Sequence, residues 1–417
     1  MALFDPGELK AWRYCVHTCV VMVNGQTITL DPMNVTGIEI HNDYYGNIFP
    51  IFKINFLLDE KDYYTILSNK TSVKIKLRIQ KYSKKYQNGK ASFKQDYING
   101  TFVTIEDDND VDRSVDLDLS DKINKASSDT ALEKFDTALE LYLYREETAT
   151  GIKKQINNIF QNVTMSSVIG YLFGESGIKN ALVSPLENNK TYKTLLLPPM
   201  TVNKMLCHLD ASYGFYKKGS VIFFGIDRTY ILNFKGGCTA YENGEKQETC
   251  IYVPKLLSTG NAAGGTIDGD GSRHYINWKY EQVNFKNSSV SKDVLSGSDV
   301  LVVNPTTNDK TEATSKTTVM GKSNTAILDD EASNPWLATT FTAQTSSNAL
   351  IIYGAMADVD ISALTPNKKF SIVFEDQKLT SKYKGTYFLS NCMFKFVNDS
   401  AEGDFSMIAS VELRRIQ

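Results

Sequence analysis

Three residues near the start of the chain have types and spacing that suit a metal site. Cys15, His17 and Cys19 alternate along a candidate strand, and this period of two would place their side chains on one face. Structural zinc usually takes two such pairs of ligands, and no second pair lies close in the sequence. We therefore expect these residues to pack in or beside the core.

An acidic run has the opening spacing of a calcium loop. Asp108, Asp110 and Asp112 occupy its first, third and fifth positions. Such a loop needs glycine at position six and a bidentate acid at position twelve, but Arg113 and Leu119 stand there. The pattern instead predicts a solvated acidic loop within a β-hairpin.

A glycine-rich stretch at residues 260–271 could suggest a phosphate-binding loop. It lacks the lysine and hydroxyl pair that follows the glycines of such loops. No helical pattern follows it, so we expect a surface loop.

Signs of an enzyme are weak. Cys207 and His208 are adjacent on a predicted helix, where neighbouring side chains diverge by about 100° and cannot form a nucleophile–base pair. Neither a Gly-x-Ser-x-Gly elbow nor a His-Glu-x-x-His motif occurs. A catalytic pair of carboxylates from distant parts of the chain remains an alternative, because sequence spacing does not test it. We assign no catalytic, cofactor-binding or metal residues and expect no enzyme.

Composition narrows the function classes. The formal net charge of −3 over 417 residues does not indicate the excess of basic residues that nucleic-acid binding requires. The six dispersed cysteines indicate free thiols made in a reducing cytosol; a Cys238–Cys250 disulfide is a less favoured alternative. No secretory signal opens the chain, and no apolar run approaches the ~20 residues of a membrane-spanning helix.

Residues 1–150 have the pattern of a β domain. Asn24-Gly25 predicts a hairpin turn, and Glu60 to Ser68 predicts a short helix with Tyr63, Tyr64 and Leu67 apolar. Residues 72–81 and 138–145 alternate apolar and polar side chains, as antiparallel strands with one buried face do. The basic face of 72–81 is more simply a solvated or subunit-facing surface than a phosphate track.

Residues 151–235 predict an α+β insert. Helical spacing appears at 152–160, from Thr164 to Gly174, and from Thr201 to near Gly214. Between them, 195–199 reads as extended chain. A hairpin is predicted over 214–224 and a further strand over 229–232.

Residues 236–417 return to a β pattern. Candidate strands lie at 248–256 and 274–283, and regularly spaced strands run from 370 to 413. Residues 284–345 are polar, and we expect long loops or short strands there. The fold class is thus mainly β with an α+β insert: two antiparallel β domains flank a small α+β domain.

Three motifs of the insert resemble the middle of phage baseplate hubs of the T-even type. Siphophage tail-associated proteins and the hub part of type VI secretion spikes share this order of domains. The motifs are Leu197-Pro198-Pro199-Met200-Thr201-Val202, Ser212-Tyr213-Gly214-Phe215-Tyr216 and Asp227-Arg228-Thr229-Tyr230-Ile231-Leu232. In addition, residues 385–389 through 411–415 resemble the closing strands of a second tube-like domain.

The resemblance implies a homotrimer, in which each subunit supplies two tail-tube-like domains to a pseudo-sixfold ring. The ring would join the hexameric tail tube, or a distal tube protein, to a central spike protein. It would enclose a channel for DNA and the tape-measure protein, without specific DNA binding and without membrane insertion. The protein would be made in the host cytoplasm and reside in the virion tail or baseplate. The strands at 72–81 and 138–145 are candidates for lumen walls or subunit contacts.

Two other classes of function stay open. A receptor- or glycan-binding tail protein would show an exposed aromatic cluster in the loops at 284–345. A tail-associated hydrolase ranks last, since no lytic module is recognised.

Overall fold

The computed structural model describes fourteen stretches of the chain. They are residues 10–44, 46–85, 91–104, 137–216, 219–233, 248–253, 265–268, 274–277, 284–287, 300–303, 310–313, 324–327, 350–398 and 404–415. The acidic run at 108–112 and Cys238 lie outside them.

Strands dominate these stretches. The first thirteen are β1 (Lys10–Val23), β2 (Gln26–Leu30), β3 (Val35–Asp43), β4 (Ile51–Leu58), β5 (Lys74–Lys85), β6 (Gln95–Val103), β7 (Thr137–Tyr142), β8 (Tyr144–Arg145), β9 (Gln155–Thr164), β10 (Ala181–Val183), β11 (Thr191–Thr201), β12 (Ser220–Phe224) and β13 (Thr229–Asn233).

Eleven more strands follow the insert. They are β14 (Glu248–Val253), β15 (Gly265–Asp268), β16 (His274–Asn277), β17 (Asn284–Asn287), β18 (Val300–Val303), β19 (Lys310–Ala313), β20 (Asn324–Ile327), β21 (Leu350–Ala357), β22 (Lys369–Phe374), β23 (Thr386–Asn398) and β24 (Asp404–Arg415). The region 284–345 thus contains short strands, as expected.

Helices are short. The α-helices are α1 (Glu60–Leu67), α2 (Glu146–Lys153), α3 (Met165–Ser176), α4 (Val202–Tyr213) and α5 (Gln377–Tyr383), with 3-10 turns at Pro32–Asn34, Lys70–Ser72 and Ile361–Ala363. The predicted fold class, mainly β with an α+β insert, is confirmed. Pairing is mostly antiparallel, but β14 pairs in parallel with β16 and β22, as do β10 with β13 and β18 with β20.

The large sheet contains two rings of strands, one closed entirely by pairing and one completed by the chain continuing from β7 into β8. The first runs β1-β5-β6-β8, continues into the adjoining β7, and returns through β4-β3-β23-β24 to β1. The second runs β24-β1-β15-β16-β14-β22-β23 and back to β24. Strands β1, β23 and β24 belong to both rings, so the first and last segments of the chain share hydrogen bonds.

Alternation along the strands gives this sheet one buried face. Val73, Ile75, Leu77 and Ile79 are at most 1% exposed, whereas Lys74, Lys76 and Arg78 on the other face are not buried. Gln80 was expected on that outward face but is buried, because the pairing shifts register after Ile79. Leu139, Leu141 and Leu143 are buried in the same way, as predicted. Because removal of apolar side chains from water drives folding, this pattern fixes the register of each strand.

The insert has a second core. The buried faces of α3, α4, β9 and β11 meet there, with Val168, Leu172, Met205 and Leu209 fully buried. The small sheet β10-β13-β12 lies between the two cores: Tyr230 and Leu232 face the first core, and Ile231 faces the second. Strand β13 is therefore apolar on both faces.

Three local predictions for the insert need correction. The predicted helix at 152–160 is wrong, because α2 ends at Lys153 and β9 follows. Lys154 is extended, and β9 pairs along β11, leaving Ile159 64% exposed. This tertiary pairing outweighs a weak helical period that contains two asparagines.

The second correction concerns the hairpin predicted over 214–224. Residues 220–224 pair instead with 229–233. The third concerns α3, whose Thr164 cap is confirmed, but which passes Gly174 and ends at Ser176. Gly177 follows with φ 77°, a left-handed cap that suits glycine.

Candidate functional site: a polar junction of three segments

A cleft of about 450 Å³ lies where the first β segment, the insert and the last β segment meet. Its lining includes Lys81 and Tyr97 from the first segment, Asp227 and Tyr230 from the insert, and Asp360 from the last. We call these residues, with Trp12, Arg13, Tyr14, Asp358 and Ser362 beside them, the polar junction.

A buried ion pair crosses the junction. Lys81 Nζ lies 2.7 Å from Asp360 Oδ1, and both side chains are about one-tenth exposed. Lys81 Nζ also donates to Ser362 Oγ at 2.5 Å and lies 4.8 Å from the centre of the Trp12 ring. A buried charge is tolerated only when it is paired and hydrogen-bonded, and this set of contacts provides both conditions.

Tyr14 ties β1 to the same loop. Its hydroxyl donates to the Val359 carbonyl at 2.9 Å and accepts from the Ile361 N–H at 3.0 Å. Burial, followed by the charge of Asp360, holds the pKa of Tyr14 well above its ordinary value. The hydroxyl therefore stays protonated and keeps its donor.

Asp358 adopts a left-handed backbone conformation, with φ 56°. Aspartate is among the few non-glycine residues that adopt it readily. Its carboxylate accepts from Arg13 Nη1 at 2.8 Å, while its backbone bonds both Trp12 and Met407. One residue thus links β1, the end of β21 and β24.

The insert enters the junction through Asp227 and Tyr230. The Tyr230 hydroxyl donates to Asp227 Oδ2 at 2.5 Å, and Arg145 and Asn180 donate to the Asp227 carbonyl. Burial raises the pKa of Asp227 above its ordinary value, although the Tyr230 hydrogen bond opposes this shift. Burial also raises the pKa of Tyr230. These residues form one of the three motifs of the resemblance.

The motif around Gly214 positions the end of α4. Asp210 Oδ1 accepts from the Phe215 N–H at 3.0 Å and from Ser220 Oγ at 2.7 Å. The Tyr216 hydroxyl donates to the Ser184 carbonyl at 2.7 Å. In the Leu197–Val202 motif, the pairing of β11 is irregular between Leu197 and Met200, and α4 starts at Val202.

The predicted strand face of Cys15, His17 and Cys19 is not formed. A bulge between Val16 and Thr18 inserts His17 into β1 and reverses the alternation. Cys19 therefore faces the first core, whereas Cys15 lies on the opposite face and His17 is exposed. Among the described residues, no group of three potential ligands could hold a metal ion.

The other candidate residues stay apart. Cys207 and His208 lie on α4, as predicted. Only 265–268 of the glycine-rich stretch is described, as β15. The described cysteines Cys15, Cys19, Cys207, Cys250 and Cys392 are free thiols, and no described helix has the length and apolarity needed to span a bilayer.

Sequence reasoning did not identify Lys81, Asp358 or Asp360. The available signal was the placement of Asp358 and Asp360 within the apolar run from Ala357 to Ile361. Chemically, the junction consists of charges that neutralise one another and of tyrosines held protonated, an arrangement that fastens segments together.

A family model described as Bacteriophage PBS1 gene 109 protein matches residues 9–416. The chain belongs to the bacteriophage PBS1 gene 109 protein family. A comparison with curated protein sequences found no match.

Solved structures show the fold that this gene 109 family member adopts. The tail protein from Neisseria meningitidis MC58 matches with a TM-score of 0.50 and 11% identity, over 96% of each chain. A chain of the Francisella PdpA–VgrG complex matches with a TM-score of 0.50 and 9% identity, over 98% of this chain and 53% of that one. The resemblance to phage tail proteins and secretion spikes is confirmed at the level of the fold.

Proposed function

We propose that this gene 109 family member is a structural, non-enzymatic hub subunit of a phage tail. Three copies would form a pseudo-sixfold ring that joins the hexameric tail tube to a central spike and encloses the DNA channel. The observation that carries this proposal is the pair of strand rings in one chain, since three chains would supply six such rings. The two tube-like domains are assigned to residues 1–150 and 236–417, with the insertion domain at 151–235. Each ring also contains strands from the other range, since β1, β23 and β24 belong to both rings.

The polar junction suits a subunit that transmits force between its segments. Its ion pair joins Lys81 to Asp360 across 279 residues of sequence, and Tyr230 brings the insert to the same point. A hub that transmits force between tube and spike needs its segments held in fixed relation. The closed pairing of β1, β23 and β24 provides the same rigidity in the sheet.

The outward face of β23-β3-β4-β7 suits a channel wall. Lys395, Glu39 and Lys53 lie side by side across three strands, and Lys53 Nζ is 3.1 Å from Glu140. Alternating charges that pair with one another leave little net field to hold a polyanion. We assign this face to the lumen, through which DNA and the tape-measure protein pass without specific binding.

Light scattering of the purified protein at several concentrations tests the proposal. We expect a stable species at three times the 46.7 kDa chain mass, with a central channel when it is imaged. A strict monomer, both alone and with a tail-tube or spike protein, would contradict the ring. Binding to glycans or receptors would then favour a tail protein that recognises the host surface.

A further inference from the structure

The cleft of the polar junction has the size and the position of a small-molecule site. Its volume of about 450 Å³ falls within the roughly 300–1,000 Å³ typical of ligand pockets, which form preferentially between domains. The ion pair and the tyrosine hydrogen bonds described above satisfy only part of its lining. Other polar groups in the cleft have hydrogen-bonding capacity left.

Asn42 and Tyr44 have only a weak partner inside the subunit. Both line the cleft, and both are at most 9% exposed. Asn42 Nδ2 lies 3.5 Å from Cys392 Sγ, and the Tyr44 hydroxyl lies 3.7 Å from the same sulfur. Burial raises the pKa of Cys392 to about 12, so this sulfur belongs to a neutral thiol, which is a weak hydrogen-bonding group. The amide and the phenol are therefore available to a stronger partner.

Tyr97 and Asp360 have capacity left as well. Within the described stretches, the Tyr97 hydroxyl makes no hydrogen bond, although its ring packs edge-on against Tyr14 at 5.8 Å. Burial holds the pKa of Tyr97 well above its ordinary value, so the hydroxyl stays a donor. Lys81 and the Ser362 N–H both donate to Oδ1 of Asp360, which leaves Oδ2 able to accept. Because polar groups inside proteins almost always have a partner, these residues indicate that water or a ligand fills the cleft.

The charges around the cleft favour a neutral ligand. Lys81 is paired with Asp360 at 2.7 Å, and Asp96 accepts from Arg78 at 2.8 Å. A carboxylate or an ammonium group on the ligand would have to displace one of these ion pairs, and a buried charge left without its partner is costly. Hydroxyl groups avoid this cost, because a hydroxyl both donates and accepts without carrying charge.

Aromatic rings give the cleft an apolar wall beside these polar groups. Phe394 and the rings of Tyr44 and Tyr97 belong to its lining. The Tyr44 ring packs edge-on against Phe223, with the ring centres 4.6 Å apart. The wall is therefore in place before a ligand arrives, which lowers the cost of binding. A sugar has hydroxyl groups around its ring and C–H groups on its faces, so it matches both parts of the lining.

We propose that this cleft is a binding site for a neutral sugar of one or two rings. Asn42, Tyr44, Tyr97 and Asp360 would hydrogen-bond its hydroxyl groups, and the aromatic rings would contact its C–H faces. The cleft lies within a single subunit, so the inference goes beyond the hub function and is tested independently of it.

Saturation-transfer difference NMR on the full chain tests the site. The probes are glucose, galactose, N-acetylglucosamine and lactose, each titrated to high millimolar concentration. We expect at least one of them to give a saturable signal with a Kd in the millimolar range. Tyr97→Phe removes one hydrogen-bond donor and keeps the ring, so it should weaken that binding about two- to tenfold, the range for one neutral hydrogen bond.

Tyr64→Phe is the matched control. Tyr64, predicted to be part of the apolar face of α1, is 59% exposed and lies outside the lining of the cleft. This control should bind the sugar as the wild type does. Because the Tyr97 hydroxyl makes no hydrogen bond with the described residues, thermal unfolding of Tyr97→Phe should match that of the wild type, which separates a loss of binding from a loss of folding.

Two results would overturn the proposal. If none of the four sugars gives a saturable signal, water alone fills the cleft. If Tyr97→Phe binds as tightly as the wild type and the control, the sugar is bound elsewhere on the chain. Either result leaves the trimeric ring unaffected, since light scattering tests that ring separately.

Discussion

At the scale of single residues, the buried Lys81–Asp360 ion pair should make the largest contribution of any one contact in the polar junction to stability. Removal of one partner leaves the other charge buried and unpaired, which typically costs about 3–5 kcal/mol. We expect Lys81→Met and Asp360→Leu each to lower the free energy of unfolding by about this amount. The double variant should regain much of the loss, because no charge is left buried.

Urea denaturation of the four proteins in this double-mutant cycle measures the coupling. The exposed pair Lys74–Glu146, whose side chains are 52% and 44% exposed, serves as the matched control. Surface pairs contribute about 1 kcal/mol or less, so its cycle should give a small coupling. Equal couplings in the two cycles would show that the junction does not fasten the segments.

Asp227 predicts a pH dependence of stability with a defined sign. Burial raises the pKa of its carboxyl in the folded protein, so the folded state holds a proton that the unfolded state releases. Stability from this group is full below the unfolded pKa of about 4 and is lost as pH rises through the folded pKa. Asp227→Asn keeps an acceptor for Tyr230 and removes the titration.

The difference in unfolding free energy between Asp227→Asn and wild type, measured from pH 3.5 to 7, isolates this effect. We expect the variant to gain stability relative to wild type as pH rises. A difference that does not change with pH would mean that Asp227 titrates as an exposed carboxyl does. Asp376, an exposed cap whose loss acts locally, is the control position when replaced by Asn.

At the scale of elements, a strong hydrophobic periodicity predicted the secondary structure correctly, whereas a weak one did not. Helix α4 buries Val202, Met205, Leu206 and Leu209, as its period of 3.6 predicts, and β5 buries Ile75, Leu77 and Ile79, as a period of two predicts. The alternation in β5 ends at a register shift after Ile79, where Gln80 and Lys81 are both buried. Strand β9 was predicted as a helix because Ile152, Ile156 and Phe160 share helical spacing, but its conformation depends on pairing with β11. The bulge at His17 could not be predicted either, because the residue types around it alternate as they would in a regular strand.

The candidate site was only partly predictable for the same reason. The Asp227–Tyr230 motif was visible because its partners are three residues apart. Lys81 and Asp360 are 279 residues apart, and each alone resembles a surface charge. Only the closure of strands from both ends of the chain brings them together, and one sequence does not encode that closure as a local pattern.

At the scale of the whole molecule, the two strand rings meet in β1, β23 and β24. Each amide in these strands donates to a neighbour on one side only, but pairing on the other side keeps the strand in place, so local opening of one ring does not release the whole strand. We therefore expect these strands to show the slowest hydrogen exchange among the described residues. The ribbon β9–β11, a two-stranded sheet on the second core, should exchange faster.

Hydrogen exchange read out by mass spectrometry separates two ways in which the molecule could be built. If the rings unfold together, β1, β23 and β24 will share one protection level close to the global free energy of unfolding, and Asp360→Leu will lower all three equally. If the rings were independent, that substitution would expose only part of the set. Protection of β9–β11 equal to that of β1 would instead place the insert in the same cooperative unit, and the junction would then be internal to one unit rather than a fastening between units.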